Sequence, residues 1–269
     1  MKVSVIVPVY NAGDYIIPCL ESLSKQTIDL LEIVLIDDHG LDDSMQKARA
    51  YADSHPDMSI KFADNGVNKG PGAARNLGIL SSSGEYVAFV DSDDSIEPDF
   101  CQTLYDAARL HNADLAYCNI SFDYQDRPCE IKRNPVTESG EFTPDKKKYF
   151  LSHYKSYFTT FLYRRAFLTD NSILFPDTHS AEDTCFLACS LITAQRIASD
   201  ATTLYRYNIM PTSISRKKDR TRYKNRIKSL RVFKQYAKDH GLFCPYRCQI
   251  NMIMLKKGWL LGIKDLFFS

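Results

Sequence analysis

Glu85-Tyr86-Val87-Ala88-Phe89-Val90-Asp91-Ser92-Asp93-Asp94-Ser95-Ile96-Glu97-Pro98-Asp99-Phe100 is the stretch from which the fold can be read. The apolar, β-branched and aromatic run Tyr86 to Val90 predicts a buried strand, and the chain leaves it directly into Asp91, Asp93 and Asp94. Carboxylates therefore crowd the strand's carboxyl end. In open parallel sheets ligands bind at that edge, and three like charges within four residues repel unless a cation or strong donors compensate them. A divalent metal shared with a phosphate meets that need. The competing reading is a cap, Asp94 or Ser95, for a helix starting near Pro98, with the other acids solvated. A calcium loop of the EF-hand type is excluded, because Ile96 and Gln102 stand where such a loop has its Gly and its closing Glu.

Outward from this stretch the pattern repeats. Val3 to Val9 is a short, nearly all-apolar run, as expected of a strand covered on both faces, with Pro8 ending its pairing. A helix is predicted from Asp14 to Lys25, a buried strand from Ile33 to Ile36 closed by Asp37-Asp38, a helix over 42–53 and a third strand from Ile60 to Ala63. A loop with Gly66, Gly70, Pro71 and Gly72 leads into a helix from Ala73 to Leu80. After the acidic turn come a helix from Pro98 to His111 and a strand from Asp114 to Asn119. This alternation argues for parallel βαβ units and an α/β fold. Residues 121–145 are polar and turn-rich, consistent with a loop or small hairpin. The pattern then loosens: a strand over Tyr157 to Tyr163, a short helix over Arg164 to Asp170 and a longer one from Asp183 to Ala194.

Composition narrows the classes. A chain of 269 residues can bury a full core, as one large domain or a domain with a smaller cap. The formal net charge of +1 hides an asymmetry: from Arg216 onward fifteen Lys and Arg stand against Asp219, Asp239 and Asp265, so residues 1–215 are strongly acidic. The eight cysteines form no Cys-x-x-Cys and lie in apolar runs, which suits reduced thiols. The spacings Cys185/Cys189 and Cys244/Cys248 read as core packing, since no histidine joins them at zinc spacing. Met1-Lys2 leads straight into a strand rather than a signal sequence, and no apolar run is long enough to span a bilayer. A cytoplasmic protein is expected.

The topology is that of a nucleotide-binding sheet without either common phosphate loop. Gly13 alone follows the first strand, and no Gly-x-x-x-x-Gly-Lys-Ser/Thr occurs. A bound diphosphate would need another counter-charge, and the acids after Val90 can supply it through a metal.

Together the segments resemble the inverting glycosyltransferases of family 2, which have the GT-A fold. Val3-Ser4-Val5-Ile6-Val7-Pro8-Val9-Tyr10-Asn11 looks like that family's first-strand signature, and Ile36-Asp37-Asp38 like its second acidic pair. Asn68-Lys69-Gly70-Pro71-Gly72-Ala73-Ala74-Arg75-Asn76-Leu77-Gly78 is similar to its Gly-x-x-x-Ala-Arg-Asn-x-Gly segment. Asp91-Ser92-Asp93-Asp94 stands for its Asp-x-Asp, and Tyr163-Arg164-Arg165 with Glu182-Asp183 for its later motifs. The segments fall in family order across roughly residues 3–215, which makes coincidence a poor explanation.

The resemblance implies a mainly parallel nucleotide-binding sheet flanked by helices, with residues 1–120 taking the nucleotide-sugar and 121–215 the acceptor and base; the composition of 216–269 predicts a basic helical extension beyond it. It implies that Pro8 and Tyr10 hold the nucleotide base and that Asp38 accepts from a uracil N–H, the alternative being a turn-forming Asp. Arg75 would meet the base or diphosphate, or else be a surface arginine on a turn. Asp91 would bind ribose or sugar hydroxyls, and Asp93 with Asp94 would carry Mg²⁺ or Mn²⁺. Asp183 would be the general base, with a capping box Ser180-Ala181-Glu182-Asp183 as its structural alternative. Two departures stand out: His39-Gly40-Leu41-Asp42-Asp43-Ser44 replaces the usual Gly-Ser-x-Asp-Gly-Ser, and Asn208 stands where an arginine commonly follows the second tyrosine. Arg206, Ser213 or Ser215 would have to make up for it.

The implied reaction is transfer of a sugar from a nucleoside-diphosphate donor, UDP-linked by expectation, to a hydroxyl of a glycan or lipid-linked acceptor in polysaccharide biosynthesis. The basic tail interleaves cations with Ile227, Leu230, Phe233 and Leu242 on one stripe, and Trp259 and Phe267-Phe268 follow. A solvated helical face and a contact with an anionic membrane surface both fit it; nucleic acid does not, because no base-reading module accompanies the charge. Outside the transferase class, a non-catalytic nucleotide-sugar or glycan module is the alternative. A sugar-nucleotide pyrophosphorylase would need a glycine- and arginine-rich loop that is missing after Val9.

Overall fold

A computed structural model describes residues 1–124, 126–135, 138–153, 155, 157–209 and 220–256. Its centre is β1 (Val3–Val9), with every residue buried, as a strand covered on both faces demands. β1 pairs in parallel with β2 (Leu31–Asp37) on one side and β4 (Tyr86–Phe89) on the other, and β2 pairs in parallel with β3 (Ile60–Asp64). Helices α1 (Ile16–Ser24), α2 (Ser44–Ser54) and α3 (Pro71–Ser81) make the crossovers. This is the βαβ half expected from the sequence.

Pro8 does not end the pairing of β1 with β2, which continues through Pro8↔Ile36 and Val9↔Asp37. The reason lies in the alternation of a parallel ladder. The Ile6 carbonyl accepts from Val90 on the β4 side and the Val9 carbonyl from Asp38 on the β2 side. The missing N–H of Pro8 therefore falls on the β4 side, where the register stops at Ile6↔Phe89.

Past β4 the sheet becomes mixed. A two-residue β5 (Ser95–Ile96) and α4 (Phe100–Leu110) lead to β6 (Leu115–Asp123). β9 (Phe161–Arg164) runs antiparallel between β4 and β6, and β10 (Arg196–Asn208) runs parallel to β6, giving the order β3-β2-β1-β4-β9-β6-β10-β5. Residues 121–145 do contribute a small strand pair, β7 (Glu130–Lys132) against β6 and β8 (Gly140–Glu141) against β10. The expected strand over 157–163 begins instead with a 3-10 turn, Phe158–Thr160, and pairs only from Phe161. α5 (Pro144–Ser152) and β10 were not legible. In β10 the polar stretch around Asp200 breaks the alternation, and the register shifts there between Ser199 and Thr203.

Side chains alternate through the sheet into two cores. One face, with Val5, Val7, Leu35, Ala88 and Val90, packs on α1, α2 and α4. The other, with Ile6, Val34, Val87 and Phe89, packs on α3, α6 (Arg165–Asp170) and α7 (Glu182–Thr193). Gly78 is required on that second face, since a Cβ there would stand 2.2 Å from Ile6 Cγ2. α8 (Arg220–Asp239) lays its Leu230, Phe233 and Ala237 stripe into the same core, with α9 (Arg247–Met254) beside it. Cys185 and Cys189 are buried in α7 as expected, whereas Cys244 and Cys248 are exposed. That pair fails because α9 begins only at Arg247, so the two do not share a helical face. Ser213, Ser215, Trp259 and Phe267-Phe268 lie outside the described residues. No helix among the described residues is long and apolar enough to cross a membrane.

Candidate active site

The carboxyl ends of β1, β2 and β4 form one edge, and the sequence-derived residues gather along it in two groups. In the first, Arg75, Asp91 and Asp183, with Glu182, line a cleft of about 330 Å³. Its far wall is Ile120 and Phe122 from β6, Tyr157 to Thr159 and Tyr207. Pro8, Tyr10 and Asp38 belong to the adjoining part of the edge and do not line that cleft.

Arg75 holds the cleft together. It sits on α3, whose approach to the 175–182 segment is so close that a Cβ on Gly72 would lie 3.3 Å from Phe175 Cβ. Its guanidinium is buried, bonds Asp91 Oδ1 at 2.7 Å and Glu182 Oε1 at 3.4 Å, and lies 4.6 Å from the Phe158 ring centre. The surface-arginine reading fails. Burial works against its charge, but the Asp91 and Glu182 carboxylates outweigh burial and raise its pKa. Its Nε–H is buried and has no acceptor among the described residues, so a donor remains for a ligand or water.

Asp183 opens α7 beside Glu182. The capping box does not form: the helix is capped by Ala181 at φ 60°, with no side-chain cap bond. Asp183 accepts only a local bond, from the Thr184 N–H at 2.6 Å, among the described residues. Burial first, and the Asp183 charge second, push the Glu182 carboxyl above its ordinary range despite Arg75.

The turn after β4 distributes its acids unequally. Asp94 was expected to share a metal, yet it is 1% exposed, and both its oxygens are engaged. Tyr205 donates to Oδ2 at 2.7 Å and the Asn208 N–H to Oδ1 at 3.0 Å. Tyr205 also accepts from the Asp91 N–H at 3.2 Å, and the Asn208 amide donates to the Asp93 carbonyl at 2.8 Å. Asn208, the departure from the family pattern, thus fastens β10 to the acidic turn. Arg206 is occupied elsewhere, with Glu97 and Asp123. Asp93 has no ion-pair partner among the described residues; burial, then the Asp91 charge, push its carboxyl up to about 6. The Asp94 carboxyl is also pushed well above its ordinary range, by burial first and then by the Asp91 and Asp93 charges.

After β2 the acids are satisfied by the fold. Asp38 is buried and accepts from the Asn65 side chain at 2.9 Å and the Lys69 N–H at 3.0 Å. Asp37 accepts from the His39 N–H at 2.8 Å, and His39, at φ 55°, bonds Asp64 at 2.6 Å. The substituted turn below Asp38 is closed by these bonds. Tyr10 is 41% exposed at the rim.

No three His, Cys, Asp or Glu side chains converge on a metal position among the described residues. The donor set still fits a magnesium-like ion, which takes one or two carboxylates and completes its shell with phosphate and water. Asp93, short of counter-charge, is the residue that would supply such a carboxylate. Sequence reasoning missed the aromatic wall: Phe122 lies 5.5 Å from Tyr157 and 5.1 Å from Tyr207, ring centre to centre. These residues come from three separate segments, and their shared position depends on the unread β10.

Comparison with known proteins agrees with this geometry. The sequence model of the family described as "Glycosyl transferase family 2" matches residues 4–170. YibD of Escherichia coli, an uncharacterized glycosyltransferase, is 34% identical over 221 residues, covering 80% of this chain and 63% of its own. EpsH of Bacillus subtilis, a putative glycosyltransferase, is 28% identical over 259 residues, covering 94% and 74%. The crystal structure of Staphylococcus aureus TarS 1–349 in complex with UDP-GlcNAc superposes with a TM-score of 0.79 at 25% identity, covering all of this chain and 76% of that one. The chain therefore belongs to glycosyl transferase family 2 and has the GT-A fold.

Proposed function

We propose that this family 2 chain transfers a sugar, with inversion, from a UDP-linked donor to a hydroxyl of a glycan or lipid-linked acceptor in cell-surface polysaccharide synthesis. The observation that carries the reading is the Arg75 bridge, which joins the acids after β4 to the Glu182-Asp183 start of α7 across one cleft. Likeness to a chain crystallised with UDP-GlcNAc supports the UDP-sugar donor.

In this reading Tyr10 stacks on the base at the rim, and Asp38, rigidly held by Asn65 and Lys69, accepts from the base N–H. Asp91, fixed by Arg75, orients ribose or sugar hydroxyls. Asp93 is the residue that would hold Mg²⁺ or Mn²⁺. Bound there, the cation would offset the negative charge that builds on the departing diphosphate. The free Nε–H of Arg75 offers a further donor at the same cleft. Asp94 positions the turn without touching the donor. A sugar hydroxyl is too weak an acid to ionise on its own, so Asp183 takes its proton as the new glycosidic bond forms. Arg75 restrains Glu182, leaving Asp183 as the carboxylate of the pair without an ion-pair partner among the described residues. The Phe122, Tyr157 and Tyr207 wall shields the cleft from water and offers faces for sugar rings.

Asp183→Asn tests the assignment. The variant should keep a metal-dependent thermal shift with UDP-sugars while transfer falls by about 10²- to 10⁴-fold. Undiminished transfer would remove Asp183 from the mechanism.

A further inference from the structure

A second cavity, of about 400 Å³, lies outside the cleft and is lined by Arg133, Pro135, Ser152, His153, Lys155 and Lys256. Four of its six lining residues carry basic groups, and the chain brings them from three places: the end of β7, the segment after α5 and the residue two past α9.

Their charge is not consumed locally. On the elements around the cavity Glu130 pairs with Lys132, Glu138 with Lys146 at 2.8 Å and Asp145 with Lys148 at 3.5 Å. These acids are thus already engaged with other lysines. Arg133, Lys155 and Lys256 have no ion-pair partner among the described residues. Lys256 reaches only the Ser152 carbonyl, at 3.4 Å, and the Nδ1 of His153 bonds the Tyr149 carbonyl at 2.9 Å, leaving Nε2 for a ligand. Converging cations in a concave site leave an anion as the complementary group, and an arginine beside lysines suits phosphate oxygens.

The position is as informative as the charge. Lys155 lies two residues before Tyr157, a cleft-wall residue, so their backbones are at most about 7 Å apart. Arg133 follows Lys132, which pairs directly with Ile120 of the same wall. The cavity therefore adjoins the β6 side of the cleft, away from the β1 and β2 edge where the nucleotide base is placed.

We propose that this cavity is a phosphate-binding subsite for the acceptor, which is accordingly a phosphate-bearing saccharide or polyol chain. The proposal rests on the transferase reading for the word acceptor; the anion site itself does not. A concave pocket for a single phosphate group suits a flexible chain better than a bilayer, which needs a flat or convex face with apolar anchors.

Binding of a short glycerol-phosphate oligomer to the full chain, measured by calorimetry, tests it. Wild-type protein should bind the oligomer, inorganic phosphate should compete, and a neutral dextran oligomer should not bind. The double variant Arg133→Glu/Lys155→Glu, at two exposed positions, should lose about ten-fold or more in oligomer affinity while its melting temperature and its UDP-sugar thermal shift stay unchanged. Unchanged oligomer affinity in the variant, or equal binding of dextran, would overturn the subsite. So would variant-sensitive binding of phosphatidylglycerol vesicles without binding of the oligomer, which would make the cavity a lipid contact. Absence of any UDP-sugar shift in the wild-type protein would instead strike the transferase reading and leave the oligomer result standing.

Discussion

The acidic turns after β2 and β4 look alike in sequence and differ in electrostatic state. After β2, Asp38 receives Asn65 and Lys69, Asp37 receives His39, and the nearby Asp64 receives Gly66 and His39. Nothing further is required there. After β4, Asp91 has Arg75 and Asp94 has Tyr205 and Asn208, but Asp93 is left half-buried with its pKa pushed up to about 6, by burial first and Asp91 second. A turn whose acids are satisfied by the fold needs no further partner, whereas one with surplus negative charge is suited, in the function proposed above, to a cation that would arrive with the substrate.

The largest test of that contrast removes the only cation among the described residues that bridges the β4 turn to α7. Arg75→Gln would leave the partly buried Asp91 and Glu182 without their counter-charge; breaking a fully buried pair costs about 3–5 kcal/mol, which sets the upper bound here. Denaturant unfolding should show a loss approaching that bound. A loss below about 1 kcal/mol would mean that water already screens the group.

Next, Asp93→Ala should lower transfer by about 10²- to 10³-fold, as loss of a transition-state charge stabiliser does. The same change should raise the melting temperature of the metal-free protein, because it relieves repulsion with Asp91 and Asp94. A gain in stability with a loss of function distinguishes a ligand-seeking charge from a structural one. Lower stability of the metal-free variant would erase the distinction between the turns.

The pH dependence follows from the same shift. Between its ordinary value near 4 and about 6, Asp93 keeps a proton in the folded state that the unfolded chain has lost. Its contribution to stability therefore falls as pH rises through that window, by up to about 3 kcal/mol before solvent screening. Asp64 has the opposite sign. The Gly66 N–H first, then His39, lower its pKa, so its contribution is present above its ordinary value and is lost as pH falls through the lowered one. Melting temperature measured from pH 7 down to pH 5 should rise in the wild-type protein, and Asp93→Asn should reduce that rise. Saturating UDP with Mn²⁺ should flatten the slope as well.

The smallest expected effect is on the other turn. Asp38→Ala strands the Asn65 amide and the Lys69 N–H, costing about 1–3 kcal/mol. Residual donor binding by the variant should remain metal-dependent.

The fold's first half was open to sequence reading because each element there is local. A run such as Val3 to Val9 or Tyr86 to Val90 is apolar enough to declare a strand buried on both faces, and the helices between carry their own periodicity. The acids at the strand ends follow from that order alone, whereas Arg75 and Asp183 became candidates only through the family resemblance. What the sequence did not reveal were β10 and α5, since the first is interrupted by the irregularity at Ser199 to Thr203 and the second has a weakly apolar face.

Roles within the site depended on those missing pieces. That Asp91, Asp93 and Asp94 stand together is written in four consecutive residues, and so is their mutual repulsion. Which of them has its charge compensated within the fold, and which does not, turns on Tyr205 and Asn208 more than a hundred residues later, and on Arg75, a buried arginine of α3. Chemistry is local to the chain; compensation of charge acts through space, and only the folded arrangement determines it.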